Sequence, residues 1–173
     1  MQFVKTPAAP SDELFLFDLY ASTRQEEMSL VPWSDEQKNA FLTQQFQAQH
    51  NYYKSKYPTA DFSILSVDGV QVGRLYTVEI DGVFKILDIT VAPEKRNQGF
   101  GSYWLSEIIE KAKEQNISVQ IYIETTNRSA NLLSRFGFQP KDSDEVYQLW
   151  EFTLQIESDR QTEIEQEVNR AKV

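Results

Sequence analysis

The stretch DITVAPEKRNQGFGSYWLSEIIEKA, Asp88 to Ala112, joins an apolar run to a helical pattern through a polar turn with Arg96, Asn97, Gln98, Gly99, Phe100, Gly101 and Ser102. Those residue types at a helix start suit an anion. The first turn of a helix has backbone N–H groups with no partner inside the helix, and the dipole adds partial positive charge there. Glycine lets backbone approach phosphate oxygens closely and adopt conformations barred to other residues. Arg96 adds a permanent cation. The dinucleotide fingerprint needs three spaced glycines followed by an acid, and the Walker loop needs Gly-Lys-Ser/Thr; the stretch matches neither. On these residues alone, a helix start whose glycines serve packing stands as an equal alternative.

The elements that must hold this turn are legible around it. FVKTPAAP reads as a short edge strand ending in a proline-marked turn. SDELFLFDLYASTRQEEM predicts a helix capped by Ser11, with apolar positions Leu14, Phe15, Phe17, Leu19 and Tyr20. PWSDEQKNAFLTQQFQAQHNYYKSKYP opens with Ser34 and Gln37 at capping-box spacing and predicts a long amphipathic helix carrying Phe41, Leu42, Gln45, Phe46, Gln49 and Tyr53 on one side. DFSILSV, QVGRLYTVEI and VFKILDITV, separated by Asp68-Gly69 and Asp81-Gly82, predict an antiparallel meander. SYWLSEIIEKAKEQN is the next helix, SVQIYIE a strand, RSANLLSRF a short helix and EVYQLWEFTLQI a last strand. The tail ESDRQTEIEQEVNRAKV is charged and free of Gly and Pro, which predicts a solvated or partner-docking helix.

Composition bounds the function. The 173 residues suit one domain with a sizeable core, expected over 1–156, with 157–173 as the tail. A net charge of −9 argues against nucleic acid or an anionic membrane as partner and mildly favours a cationic substrate. With no cysteine there is no disulfide framework and no thiolate chemistry. The start of the chain shows no charged leader followed by an apolar core, and no apolar run approaches the ~20 residues of a membrane span, so a cytoplasmic protein is expected. No His/Asp/Glu cluster has ligand spacing, so no metal is expected.

With these elements in place, VAPEKRNQGFGS resembles the acyl-CoA-binding motif of the GCN5-related N-acetyltransferase (GNAT) superfamily, Arg/Gln-x-x-Gly-x-Gly/Ala after a strand with Val-x-Pro. Arg96, Gly99 and Gly101 fill its fixed places. Downstream, IYIETTNRSANLLSRFGF is similar to the family's second motif: a strand, an Asn at Asn127, a short helix and the closing Gly137-Phe138. The resemblance is specific from about Ile80 to Pro140. It implies an α+β fold with a twisted, mostly antiparallel sheet splayed in the middle and helices on both faces.

The resemblance further implies acetyl-CoA as co-substrate, lying between KILDITV and SVQIYIE. Ile89, Thr90 and Val91 would meet the pantetheine through backbone atoms, in the manner of an added strand. Asn97 to Ser102, with Arg96 beside them, would surround the pyrophosphate, and Asn127 would contact the coenzyme. The implied reaction is direct acetyl transfer to a primary amine of a small molecule, peptide or protein. Here the chain departs from the family: Leu133 stands where many members have a Tyr acid, and Lys85 where some have a Glu base. Substitutes are Asp88, a carboxylate interrupting an apolar strand, Glu124 at a strand end, and Ser134 beside Leu133. Tyr122 and Tyr147 are further possible acids, while the lone His50 fits a surface or substrate wall. That wall is expected from STRQEEM, the Trp33 segment and the aromatics Phe46, Tyr52, Tyr53, Tyr57 and Trp150, with Glu26, Glu27 and Asp35. Aromatics beside acids suit a cationic amine and equally a packed core with a wet rim. An amine acceptor is thus the expected second partner, with homodimerisation left open. The competing reading is a non-catalytic acyl-CoA-binding module.

Overall fold

The computed structural model describes residues 1–125, 127, 129–154 and 165–171. By backbone proximity the chain divides into two units, one of residues 1–80 and 85–105, the other of 81–84 and the chain from 106 onward. The expected boundary at 156 lies outside the described residues; 165–171 are helical and exposed.

The first unit carries β1 (Phe3–Pro7), β2 (Asp61–Val67), β3 (Val70–Ile80) and most of β4 (Val83–Val91), hydrogen-bonded in that order. β1 with β2 and β2 with β3 are antiparallel. The Asp-Gly turns behave as their residues require: Asp68 and Gly69 have φ 50° and 81°, Asp81 and Gly82 φ 53° and 72°. Both central residues then twist the way the hairpin does.

Its helices are α1 (Glu13–Thr23), α2 (Gln25–Ser29) and α3 (Asp35–Lys56). The Ser34–Gln37 capping box is formed, Gln37 N–H donating to Ser34 Oγ at 3.2 Å and Ser34 N–H to Gln37 Oε1 at 3.0 Å. The first helix differs from expectation at both ends. Pro10–Asp12 is a 3₁₀ turn, so Ser11 is not a cap; Asp12 Oδ2 accepts from Ala9 N–H instead. At the other end Ser22 and Thr23 hydroxyls donate to the Leu19 and Tyr20 carbonyls at 2.6 and 2.7 Å, and the helix stops before Arg24. The buried face is Leu16, Leu19 and Tyr20, whereas Leu14 is 72% exposed.

Leu16, Tyr20, Met28, Leu42, Phe46, Ile64 and Tyr76 form the apolar core of this unit. Into its edge the fold sets a charge. Arg74 on β3, 1% exposed, reaches Asp88 on β4 with Nε to Oδ1 at 3.1 Å and Nη2 to Oδ2 at 2.9 Å. Nη2 also donates to Gln49 Oε1 at 3.2 Å, and the guanidinium lies 4.9 Å over the Tyr76 ring. Burial alone would lower the Arg74 pKa; the charge and hydrogen bonds of Asp88 outweigh it and hold it above the ordinary value. On α3, His50 stacks on Phe46 at 6.2 Å. Burial, helped by Lys54, lowers its pKa below 6.5.

The second unit carries β5 (Ser118–Glu124), β7 (Tyr147–Phe152) and β6 (Gln139–Ser143), hydrogen-bonded in that order and antiparallel, together with α5 (Ala130–Arg135). Its buried residues include Val119, Ile121, Ile123, Leu133, Phe138 and Trp150. β6 is absent from the sequence expectation: QPKDS is exposed throughout and carries a proline, which is how an edge strand looks. A helix α4 (Phe100–Gln115) starts in the first unit and ends in the second.

Two outcomes follow. Arg74→Met strands a carboxylate at the core edge and should lower unfolding free energy by about 3–5 kcal/mol, with much of the loss recovered in Arg74→Met/Asp88→Leu; denaturant unfolding in a double-mutant cycle measures both. For His50, the unfolded chain takes a proton near pH 6.5 that the folded chain resists. Stability should therefore fall as pH drops through 6.5 toward the lower folded value. His50→Gln should flatten that slope in thermal melts across the window.

Candidate functional site

β4 loses its alternation midway. Phe84 and Ile86 are buried, but from Leu87 to Val91 every residue is only half-buried, Ile89 and Val91 included. The apolar Leu87, Ile89 and Val91 are left half-covered at alternate positions along the strand. The other side of this segment is fixed by β3. A Cβ added at Gly73 would overlap the Thr90 carbonyl oxygen, so only glycine lets the two backbones lie this close. The Thr90 hydroxyl donates to Asp88 Oδ1 at 2.6 Å, and Ala92 N–H donates to the Val72 carbonyl at 2.8 Å. Gly73 and Arg74 thus fix Thr90 by its carbonyl and, through Asp88, by its side chain.

The strand runs into a 3₁₀ turn, Pro93–Lys95, then the residues that drew attention in the sequence. Arg96 is exposed; its Nε donates to the Val91 carbonyl at 3.0 Å, which tethers the guanidinium at the mouth of the turn. Gln98 Nε2 donates to the Glu94 carbonyl at 3.2 Å. Asn97 and Gly99 adopt φ 59° and 83°, the left-handed region. The Gly99 carbonyl accepts from Tyr103 N–H at 2.9 Å and starts α4. Phe100 and Gly101 therefore present first-turn N–H groups without an i−4 carbonyl within the helix. The Phe100 side chain does not face this space: it is buried, 6.0 Å from the Phe3 ring, and Phe3 stacks on Tyr103 at 3.7 Å. Only its backbone can serve a ligand.

Gly101 is the telling residue. Its φ is not in the left-handed region, and a Cβ there would meet nothing closer than Val91 Cγ2 at 3.9 Å. Neither conformation nor packing among the described residues calls for glycine in this helical turn; in a helix interior glycine destabilises by roughly 0.5–1 kcal/mol relative to alanine. A ligand approaching the backbone would call for it.

In the second unit, Asn127 is exposed; its Oδ1 accepts from Ser129 N–H at 2.8 Å and its N–H donates to the Glu124 carbonyl at 2.8 Å. Ser134 is exposed on α5, while Leu133 beside it is 3% exposed and belongs to the core. Gly137, φ 90°, closes that helix, with Phe138 N–H donating to the Leu133 carbonyl at 3.0 Å. Glu124, Tyr122 and Tyr147 are exposed on β5 and β7. Of the expected wall, Phe46 and Trp150 are buried, Tyr53 donates its hydroxyl to the Leu87 carbonyl at 3.2 Å, and Trp33 and Tyr52 are exposed. Among the described residues no group of three or more acids or histidines is gathered to hold a metal, and no helix is long and apolar enough to cross a membrane. Sequence reasoning missed Arg74 and Gly73; the signal was an arginine among the apolar Val72, Leu75 and Tyr76, one hairpin away from an unexplained aspartate.

Known proteins can be set beside this geometry. The chain matches the structure of PaiA N-acetyltransferase from Thermoplasma acidophilum in complex with coenzyme A, with TM-score 0.67 and 16% identity over 89% of this chain and 100% of that one. It matches the ribosomal-protein-S18-alanine N-acetyltransferase of Escherichia coli with TM-score 0.61 and 12% identity, over 88% and 96%. It also matches a GNAT family acetyltransferase from Elizabethkingia anophelis with acetyl-CoA bound, with TM-score 0.54 and 17% identity, over 88% and 98%. These identities carry the fold alone. No curated protein matches the chain by sequence. The sequence model of the acetyltransferase (GNAT) family matches residues 16–138, well over half of the chain. The chain belongs to the GNAT acetyltransferase family.

Proposed function

We propose that this chain binds acetyl-CoA and transfers its acetyl group directly to a primary amine of a small molecule, peptide or protein, with 1–156 as the catalytic domain and 157–173 as a tail outside it. Gly101 carries the reading: an open space beside a helix-start backbone, held free of side chain at a cost in helix stability. The coenzyme supplies an activated thioester and a thiolate leaving group. Around it, the N–H groups of Phe100 and Gly101, with Gly99, Asn97 and Gln98 shaping the turn and Ser102 continuing it, cradle the pyrophosphate, and tethered Arg96 adds charge at the rim. Ile89, Thr90 and Val91 offer backbone and half-covered apolar surface to the pantetheine arm, with Asn127 a further coenzyme contact.

For the chemistry, three groups were named from the sequence. Asp88 is engaged on both oxygens, by the Arg74 guanidinium and the Thr90 hydroxyl, which leaves it turned to partners within the chain. Glu124 and Ser134 are exposed. Leu133, buried, can supply no acid, so water protonates the departing thiolate in this reading. That same residue favours the second reading, a module that binds acyl-CoA without turnover.

Gly101→Ala separates the cradle from the fold. The variant should be as stable as the parent or gain up to about 0.5–1 kcal/mol. One methyl in the ligand's space costs about 1–3 kcal/mol, so acetyl-CoA affinity should drop roughly 5- to 150-fold. Thermal melts and titration calorimetry check the two halves. Parent protein that neither takes up heat nor gains melting temperature with acetyl-CoA would remove the assignment; binding without thiol release across an amine and peptide panel would leave the module.

A further inference from the structure

Five consecutive residues of β4, Leu87 to Val91, are held by groups that a regular strand does not need. At the start, the Tyr53 hydroxyl on α3 donates to the Leu87 carbonyl at 3.2 Å. Next, the Asp88 carboxylate takes two bonds from the buried Arg74 guanidinium, and its Oδ1 also accepts from the Thr90 hydroxyl. The Thr90 carbonyl lies where only Gly73 on β3 leaves room. At the end, Arg96 Nε donates to the Val91 carbonyl at 3.0 Å. By contrast, β1 meets β2 in unbroken register from Phe3 to Pro7.

The cause lies at Leu87–Asp88. Leu87 packs against the apolar core that includes Tyr76, and Asp88 beside it reaches Arg74, two positions from Tyr76 on β3. Neighbours along a regular strand face opposite ways. Two that turn to the same side interrupt the pleat, and an interruption disturbs the ladder around it. There the Tyr53 hydroxyl reaches the Leu87 carbonyl. The Tyr53 ring is itself set edge-on to Tyr76 at 5.9 Å, and the Arg74 guanidinium lies 4.9 Å over the Tyr76 ring. Gln49, one helical turn before Tyr53, accepts from Arg74 at 3.2 Å. One cluster from α3 and β3 thus holds β4 on both sides of the interruption.

Stability alone does not call for this cluster. A buried ion pair is often no more stabilising than apolar side chains of similar volume. What a two-point contact between guanidinium and carboxylate does supply is fixed geometry.

We propose that Tyr53 and Arg74, the latter through Asp88 and Thr90, are positioning residues for the pantetheine arm of the coenzyme. They hold the main chain of 87–91 still before the ligand arrives, so that an arm with two amides can lie along it as an added strand does. A mobile strand would have to be ordered on binding, and that cost would lower the affinity. Neither residue is given a contact with the coenzyme. The inference rests on the coenzyme-binding reading and assigns residues that reading leaves out.

The test compares two ligands on the whole chain by titration calorimetry. One is acetyl-CoA; the other is 3′-phosphoadenosine 5′-diphosphate, which keeps the pyrophosphate and lacks the pantetheine arm. Tyr53→Phe and Thr90→Val each remove a hydroxyl and keep the side-chain shape. Each should weaken acetyl-CoA binding by roughly 2- to 13-fold, the range of one hydrogen bond, and leave the affinity for the truncated ligand as in the parent. A purely structural role lowers the melting temperature with both affinities unchanged, or weakens both ligands alike; either result overturns the proposal. A parent that binds the truncated ligand as tightly as acetyl-CoA also overturns it, while the pyrophosphate cradle stands. A parent that binds neither ligand removes the coenzyme reading and this proposal with it, and the parent titration alone tells that outcome from the others.

Discussion

The Arg74–Asp88 pair is the constraint on which the first unit turns. A guanidinium at 1% exposure is tolerable only with its charge answered, and a two-point contact to a carboxylate answers it with fixed geometry. The aspartate belongs to β4, the strand expected to meet the coenzyme, and it passes the constraint on to the Thr90 hydroxyl. One residue earlier on β3, Gly73 removes the side chain that would push the same threonine's carbonyl away. The dipeptide Gly73-Arg74 therefore sets the height and twist of β4 where regular burial stops.

The proposed coenzyme cradle is mostly backbone: N–H groups at a helix start, conformations at Asn97 and Gly99 that side chains resist, and a glycine beside open space. Backbone suits a ligand whose phosphates never vary, because it depends on shape more than on residue identity.

Distance along the chain decides what could be read in advance. The proposed cradle is contiguous, so Arg96, Gly99 and Gly101 could suggest it through their resemblance to a family motif. The Ser34–Gln37 cap and the Asp-Gly turns were equally local and formed as expected. Arg74 could not be matched to Asp88 without the register of a hairpin between them, although Asp88 stood out as a charge in an apolar strand. Likewise the Glu124–Tyr147 opposition exists only once β5 and β7 pair. The break of the first helix at Arg24 depends on two hydroxyls turning back onto carbonyls, a choice that propensity does not register. β6 was missed because an exposed edge strand with proline carries no apolar alternation.

Phe3 stacks on Tyr103 and meets Phe100 and Trp104 edge-on. The start of α4, local as its motif is, is thus steadied by a ring from β1, far earlier in the sequence. During synthesis that ring precedes the helix and must wait for it to be made. Contacts so far apart in sequence close late, because chain entropy must be overcome before they contribute. The start of α4 therefore gains its rigidity only when the first unit has assembled, and a nascent chain holds the motif well before the turn around it is steadied.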